Sequence, residues 1–139
     1  MEMKLNIKTT QQKAYRQILE IIRSFPPLDA LRNRELDVLA VLMYYNYKYR
    51  DIQEEIRWRV INDTSTKRDM QHDIDMSEDI FNNNISLVRK AGLIDKDGRI
   101  PRFLQIMIDK KYYVNFRVIE RNCKESLFIV TNNHSLVWW

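Results

Sequence analysis

The chain contains only two glycines, and their positions constrain how one stretch of it can fold. That stretch reads MSEDIFNNNISLVRKAGLIDKDGRI. Gly92 follows a helical pattern directly, where glycine commonly ends a helix because it adopts a left-handed backbone without strain. Gly98 follows Asp97, and Asp-Gly pairs favour tight hairpin turns. The spacing predicts a helix that ends at Ala91, a buried strand at Leu93-Ile94, and a turn at Asp97-Gly98.

The helix before Gly92 has a clear apolar stripe and a clear start. Phe81, Ile85 and Val88 recur at i, i+4 and i+7, which places them on one face that we expect to pack against a core. Ser77 is a strong N-cap for this helix, because its hydroxyl can accept from a free backbone N–H.

A shorter helix precedes it. Met70 and Ile74 lie four residues apart on that helix, and the division falls at Asp75-Met76. Aspartate tolerates the left-handed backbone that a sharp turn requires better than most residues do. We expect Met76 to fill the inside of the turn.

These features resemble the winged helix-turn-helix superfamily of small bacterial and phage regulators and replication initiators. The resemblance rests on Ser77, the apolar stripe, the helix exit RKAGLI and the candidate wing tip DKDGR, and it covers residues 64–106. The turn position that is often glycine in the family is Asp75 here. The resemblance implies that the second helix is a recognition helix for double-stranded DNA and that the following hairpin is a wing.

The helix faces and the resemblance give a set of candidate DNA contacts. Asn82 and Asn83 would read bases, since asparagine can pair in bidentate fashion with adenine. Basic side chains on the helix end and the wing would hold phosphates, which positions a domain without reading sequence. The full candidate set is Lys67, Arg68, Asn82, Asn83, Ser86, Arg89, Lys90, Arg99 and Arg102.

The charge distribution leaves an alternative open. The chain has a net charge of +4, but residues 64–85 carry a net of −3 and residues 86–117 a net of +5. Glu78 and Asp79 lie in the first turn of the recognition helix, where they favour the helix dipole but repel phosphate. A winged domain that contacts protein instead of DNA is therefore a second interpretation, because fold does not determine function.

The rest of the chain predicts a mainly α fold with a small antiparallel β element. We expect three N-terminal helices over residues 1–63, starting with one that Pro26 and Pro27 end. The winged helix-turn-helix follows at 64–106, with wing strands at 93–96 and 103–108. Residues 107–139 are expected to add a C-terminal β hairpin, with strand candidates at 112–119 and 127–131, and an aromatic tail. The three segments would form one compact domain.

Composition excludes several classes of protein. No apolar run approaches the roughly 20 residues of a bilayer span, and the N-terminus lacks the apolar region of a secretory signal, so we expect a cytoplasmic protein. Cys123 is the only cysteine, and His72 and His134 lie far apart in sequence, so no metal site or cofactor is predicted. The sequence contains no motif of an enzyme, neither a glycine-rich phosphate loop nor a nucleophile elbow.

Two functions from different classes remain. The first is a DNA-binding protein, a transcription regulator or a replication or packaging factor from a phage or mobile element, in the host cytoplasm or the virion. The second is a phage structural or assembly protein that uses the winged domain for protein contacts. Trp138 and Trp139 would either dock onto this chain's own domain or bind another subunit or partner, because tryptophan is enriched among interface anchors.

Overall fold

The structure is a computed structural model that describes residues 2–6, 11–108, 113–121, 125–131 and 135–137. Its α-helices are α1 Gln11–Ile22, α2 Asn33–Lys48, α3 Glu54–Ile61, α4 Thr64–Asp73 and α5 Glu78–Lys90. Short 3₁₀ turns lie at Leu28–Ala30 and Arg102–Leu104.

Helix α2 is the centre of the helical part. It contacts α1, α3, α4 and α5, and 11 of its 16 residues are buried. A helix that is apolar nearly all round is one that other elements surround. At its start the backbone N–H of Arg32 donates to the carboxylate of Glu35, which satisfies a donor that the helix itself leaves free.

Helix α1 packs along α2 through one face. Ala14, Tyr15, Ile18, Leu19 and Ile22 are all buried, at the helical spacing that the sequence shows.

Beside this apolar contact, Arg16 links the two helices. Its Nε lies 2.7 Å from Oδ1 of Asp37 on α2. The same guanidinium holds Glu20 on α1 at 2.7 Å, so one arginine fixes two carboxylates at the edge of the contact.

The strands form one antiparallel sheet in the order β1-β2-β3-β4. They are β1 Glu2–Asn6, β2 Tyr113–Arg121, β3 Glu125–Thr131 and β4 Ser135–Val137. Strand β1 pairs with β2 so that Leu5 lies opposite Val114, and β2 pairs with β3 so that Val118 lies opposite Phe128. The sheet therefore joins the first residues of the chain to its last segment.

The prediction of the fold class is wrong in its β element. Residues 11–108 contain five α-helices and no β-strand, so the wing hairpin expected at 93–96 and 103–108 does not form. The antiparallel strands of this chain lie outside that region, in a four-stranded sheet that begins with β1. Strands β2 and β3 cover most of the candidate ranges 112–119 and 127–131, but they belong to a four-stranded sheet that includes β1, and not to a small separate hairpin.

In the segment expected to form the wing, side chains supply hydrogen-bond partners for backbone N–H and carbonyl groups. In a wing, a neighbouring strand would have supplied them. The hydroxyl of Tyr15 donates to the carbonyl of Ile106 at 2.6 Å, and the N–H of Ile108 donates to that hydroxyl at 3.4 Å. The amide of Gln105 donates to the carbonyl of Ile100 at 2.9 Å. Since buried backbone polar groups need a partner of some kind, these bonds make a strand pair unnecessary here.

Candidate nucleic-acid interface

A helix-turn-helix arrangement joins α4 to α5. Asp75 has a φ of 53°, the left-handed backbone expected at the turn, and the N–H of Met76 donates to the carbonyl of Gln71 at 2.9 Å. Met76 is buried inside the turn, as predicted. The hydroxyl of Ser77 accepts from the N–H of Ile80 at 3.4 Å, which confirms Ser77 as the N-cap of α5.

The buried face of α5 is the one that the sequence indicated. Phe81 and Val88 are 0% exposed and Ile85 is 9% exposed. This face packs on α2, which holds α5 against the core and leaves its opposite side in solvent.

Asn84 is a buried member of this face that sequence reasoning missed. It is 9% exposed, and its Nδ2 donates to the carbonyl of Ile80 at 2.9 Å. The spacing of three residues from Phe81 was the available signal, because i and i+3 share a helix face. Of the three consecutive asparagines, only Asn82 and Asn83 face solvent.

The outer face of α5 carries the predicted base-reading and phosphate-binding side chains together. Its exposed polar residues are Glu78, Asp79, Asn82, Asn83, Ser86, Arg89 and Lys90. Acidic residues occupy its first turn and basic residues its last, so both termini complement the helix dipole. Between them, the middle of the face is neutral and able to donate and accept hydrogen bonds.

Two apolar side chains flank this polar face. Ile80 is 44% exposed and Leu87 is 45% exposed, and they lie seven residues apart on the same side of α5. They border Asn83, so the outer face is polar on one side and partly apolar on the other.

A groove connects the starts of α4 and α5. It has a volume of about 210 Å³ and is lined by Thr64, Lys67, Arg68, Gln71, Glu78 and Asn82. Lys67 is half-buried and Arg68 is exposed, and both lie in the first half of α4. The structure therefore brings these two predicted cations beside Asn82.

The segment predicted as a wing tip is a tight turn closed by Asp95. The N–H of Asp95 donates to the carbonyl of Arg99 at 3.0 Å. The carboxylate of Asp95 accepts from the N–H groups of Asp97 and Arg99, both at 2.9 Å. The turn is self-contained and needs no strands on either side.

This turn packs against α3. Nδ2 of Asn62 donates to the carbonyl of Gly98 at 3.2 Å and to that of Trp58 at 2.7 Å. Arg99 lies 3.7 Å from the carboxylate of Glu54 and is partly buried, whereas Arg102 is exposed. Of the two arginines predicted for the wing, the structure leaves only Arg102 fully in solvent.

The tyrosine-rich end of α2 contributes to the core. Tyr45 and Tyr47 are buried, and Tyr45 donates from its hydroxyl to Oδ2 of Asp73 on α4 at 2.5 Å. Burial and the bond to Asp73 raise the pKa of Tyr45 well above its usual value. This bond ties the end of the first helix of the helix-turn-helix to α2.

Comparison with protein-family models, curated proteins and solved structures finds no match.

The described residues contain neither a helix that could span a membrane nor a cluster that could bind a metal. No described helix is long and apolar enough to cross a membrane. Within the same part of the chain, no three His, Cys, Asp or Glu side chains form a group that could hold a metal ion. The predicted partner-binding residues Trp138 and Trp139 lie outside the described residues.

Proposed function

We propose that this protein binds double-stranded DNA through α4, its turn and α5, with α5 in the major groove. The observation that carries the proposal is the two-sided character of α5. Its apolar stripe is fixed on α2, and the opposite side exposes Asn82, Asn83 and Ser86. In helix-turn-helix proteins this is the face that reads base edges.

Asn82 and Asn83 are the proposed base-reading residues. An asparagine amide can donate to N7 and accept from N6 of adenine at once, which discriminates adenine from the other bases. Ser86, one turn further along, can pair with several bases and adds contact with less discrimination.

The cations that would hold phosphates lie at both ends of this face. Lys67 and Arg68 stand beside the start of α5, and Arg89 and Lys90 stand at its end. A helix of 13 residues spans roughly 20 Å, so the two pairs are spaced to reach phosphates on both sides of a groove about 12 Å wide. Arg102 is exposed and supplies a further phosphate contact.

The acidic first turn of α5 sets a limit on affinity. Glu78 and Asp79 would lie near phosphates when α5 enters the groove with its start. Glu78 can accept from N4 of cytosine, which converts an unfavourable charge into a contact for one base. We therefore propose a binder that discriminates between sites and has modest affinity for random DNA.

For such a binder we propose a role as a small regulator or a replication or packaging factor of a phage or mobile element. A protein-contact role in virion assembly is the second candidate, and the exposed Ile80 and Leu87 on α5 favour it. Apolar side chains at the edge of a helix face suit a protein partner better than a phosphate backbone.

Binding to random duplex DNA across a salt series tests the proposal. Counterion release makes the logarithm of the binding constant fall linearly with the logarithm of salt concentration. We expect measurable binding at about 50 mM salt and a steep negative slope, because each neutralised phosphate contributes roughly −0.9 to it. Absence of binding at that salt concentration would favour the assembly role.

A further inference from the structure

A polar cleft lies between α3 and the turn of residues 95–99. Its volume is about 530 Å³, and it is lined by Glu55, Trp58, Arg59, Asn62, Asp97 and Arg99. Sequence patterns did not indicate it, because the turn was expected to extend into solvent as a wing. The bond from Nδ2 of Asn62 to the carbonyl of Gly98 holds the turn on α3, and Arg59 and Arg99 both line the cleft between them.

Two of the residues that line this cleft each have a buried donor without an acceptor. Trp58 is 1% exposed, and its indole Nε1 is buried with no hydrogen-bond partner among the described residues. Nε of Arg99 is likewise buried and has no hydrogen-bond partner among the described residues. Buried polar groups are nearly always satisfied, so two unsatisfied donors on one cleft indicate a missing acceptor.

We propose that this cleft binds a small molecule through an oxyanion group, a carboxylate or a phosphate. Such a group offers several acceptor lone pairs, which matches the indole N–H of Trp58 and the guanidinium of Arg99. Arg59 is exposed at the same cleft and adds a second positive charge. Glu55 and Asp97 are acceptors, so they suit a hydroxyl or amino group on the same ligand.

Entry of the ligand requires a small movement of Arg99. The two donor atoms are covered, and the side chain of Arg99 is 31% exposed. Its contact with Glu54 is long, at 3.7 Å, and partly in solvent, so it restrains the guanidinium weakly. The oxyanion would replace Glu54 as the partner of Arg99. This site is separate from the proposed DNA-binding face and does not depend on it.

Nuclear magnetic resonance of the full chain without DNA tests this site. Sodium phosphate and sodium acetate are titrated separately, with sodium chloride at matched ionic strength as the reference. We expect at least one of the two oxyanions to move the indole N–H signal of Trp58 and the Nε–H signal of Arg99 downfield. The shift should saturate with a dissociation constant of about 10 mM or tighter.

Two arginine-to-lysine variants test whether Arg99 binds the oxyanion. Arg99→Lys keeps the charge but removes the fork of N–H donors, so it should weaken binding about tenfold or more. Arg34→Lys changes an exposed arginine on α2 and should bind like the parent. A melting curve for each variant shows whether it folds.

Three outcomes would overturn the proposal. They are reproduction of the shift by chloride, the lack of a saturating change with either oxyanion, and equal binding by Arg99→Lys and Arg34→Lys. Because no DNA is present, none of these results bears on DNA binding. A lack of DNA binding would likewise not contradict the proposal for this cleft.

Discussion

Gly98 lies where both its backbone and its lack of a side chain are required. Its φ is 77°, and a Cβ built there would lie 2.6 Å from Cγ of Asn62. Gly92 has a similar φ of 83°, but a Cβ there meets nothing within 4 Å. A comparison of substitutions at the two glycines therefore distinguishes the effect of backbone strain from the effect of close packing.

Gly98→Ala should destabilise the protein more than Gly92→Ala. Gly92→Ala is expected to cost about 1 kcal/mol from the left-handed backbone alone. Gly98→Ala should cost about 2–3 kcal/mol, because the clash with Asn62 is added to the strain. Urea denaturation of the three proteins measures the difference.

The control for this prediction is the Asn62→Ala background. Without the Asn62 side chain, the added cost of Gly98→Ala should fall to about that of Gly92→Ala, because only backbone strain remains. Equal costs for the two glycine variants in the parent protein would show that the turn does not pack on α3 as described.

Tyr45 is a second residue whose environment predicts a measurement. Burial, followed by the bond to Asp73, raises the pKa of its hydroxyl, so the folded state keeps the proton where the unfolded chain releases it. The resulting stability is full below about pH 10 and is lost as the pH rises through the folded pKa.

Tyr45→Phe should therefore lower the free energy of unfolding by about 1 kcal/mol at pH 7, through loss of the hydrogen bond. The difference between parent and variant should narrow above about pH 10, since only the parent has this proton to lose. Urea denaturation at several pH values from 7 to 11 measures it. A difference that stays constant over that range would contradict the account of Tyr45.

At the scale of elements, α5 is where sequence and structure agree best. Its cap, its buried stripe and its outer face follow from spacing alone, because a period of 3.6 residues over more than three turns has no competing interpretation. The left-handed backbone of Asp75 and the burial of Met76 also match the prediction, since the turn between two short helices restricts which residues fit.

The segment after Gly92 shows why the rest could not be predicted. Short apolar runs such as Leu93-Ile94 and 103–108 are compatible with strands and with other buried backbone. The choice depends on Tyr15, which supplies hydrogen bonds to Ile106 and Ile108 from about 90 residues away in sequence. No local pattern contains that contact, and the cleft at Trp58 depends on a similar long-range contact between Asn62 and Gly98.

The end of α5 gives a prediction for the proposed DNA-binding face. Arg89→Ala combined with Lys90→Ala should weaken binding to all duplex sequences and reduce the magnitude of the salt slope by about 2, roughly one unit for each lost phosphate contact. Fluorescence anisotropy across a salt series measures both quantities. Arg34→Ala, which removes an exposed arginine on α2, is the matched control.

Asn83→Ala should behave differently from the basic pair. It should leave the salt slope unchanged. It should reduce the difference in binding free energy between preferred and random sites by about 1–3 kcal/mol, because the pair with adenine is lost. If the basic-pair variant and the asparagine variant both bind as the parent does, the assignment of α5 to the groove is wrong.

At the scale of the whole molecule, the helical part is built around one buried helix with a second helix presented to solvent. Helix α2 fixes α1 on one side and α5 on another, and the bond from Tyr45 to Asp73 ties in α4. The helix-turn-helix is thus rigidly supported, which a base-reading surface requires. The solvent side of α5 is the surface that we propose for DNA.

Mapping of backbone and side-chain amide shifts on the full chain, with a short random duplex at about 50 mM salt, tests this claim most directly. We expect the largest changes on the side-chain amides of Asn82 and Asn83, on the rest of α5, and on α4 around Lys67 and Arg68. Changes confined to α1, or none anywhere on α4 and α5 at saturating DNA, would contradict it.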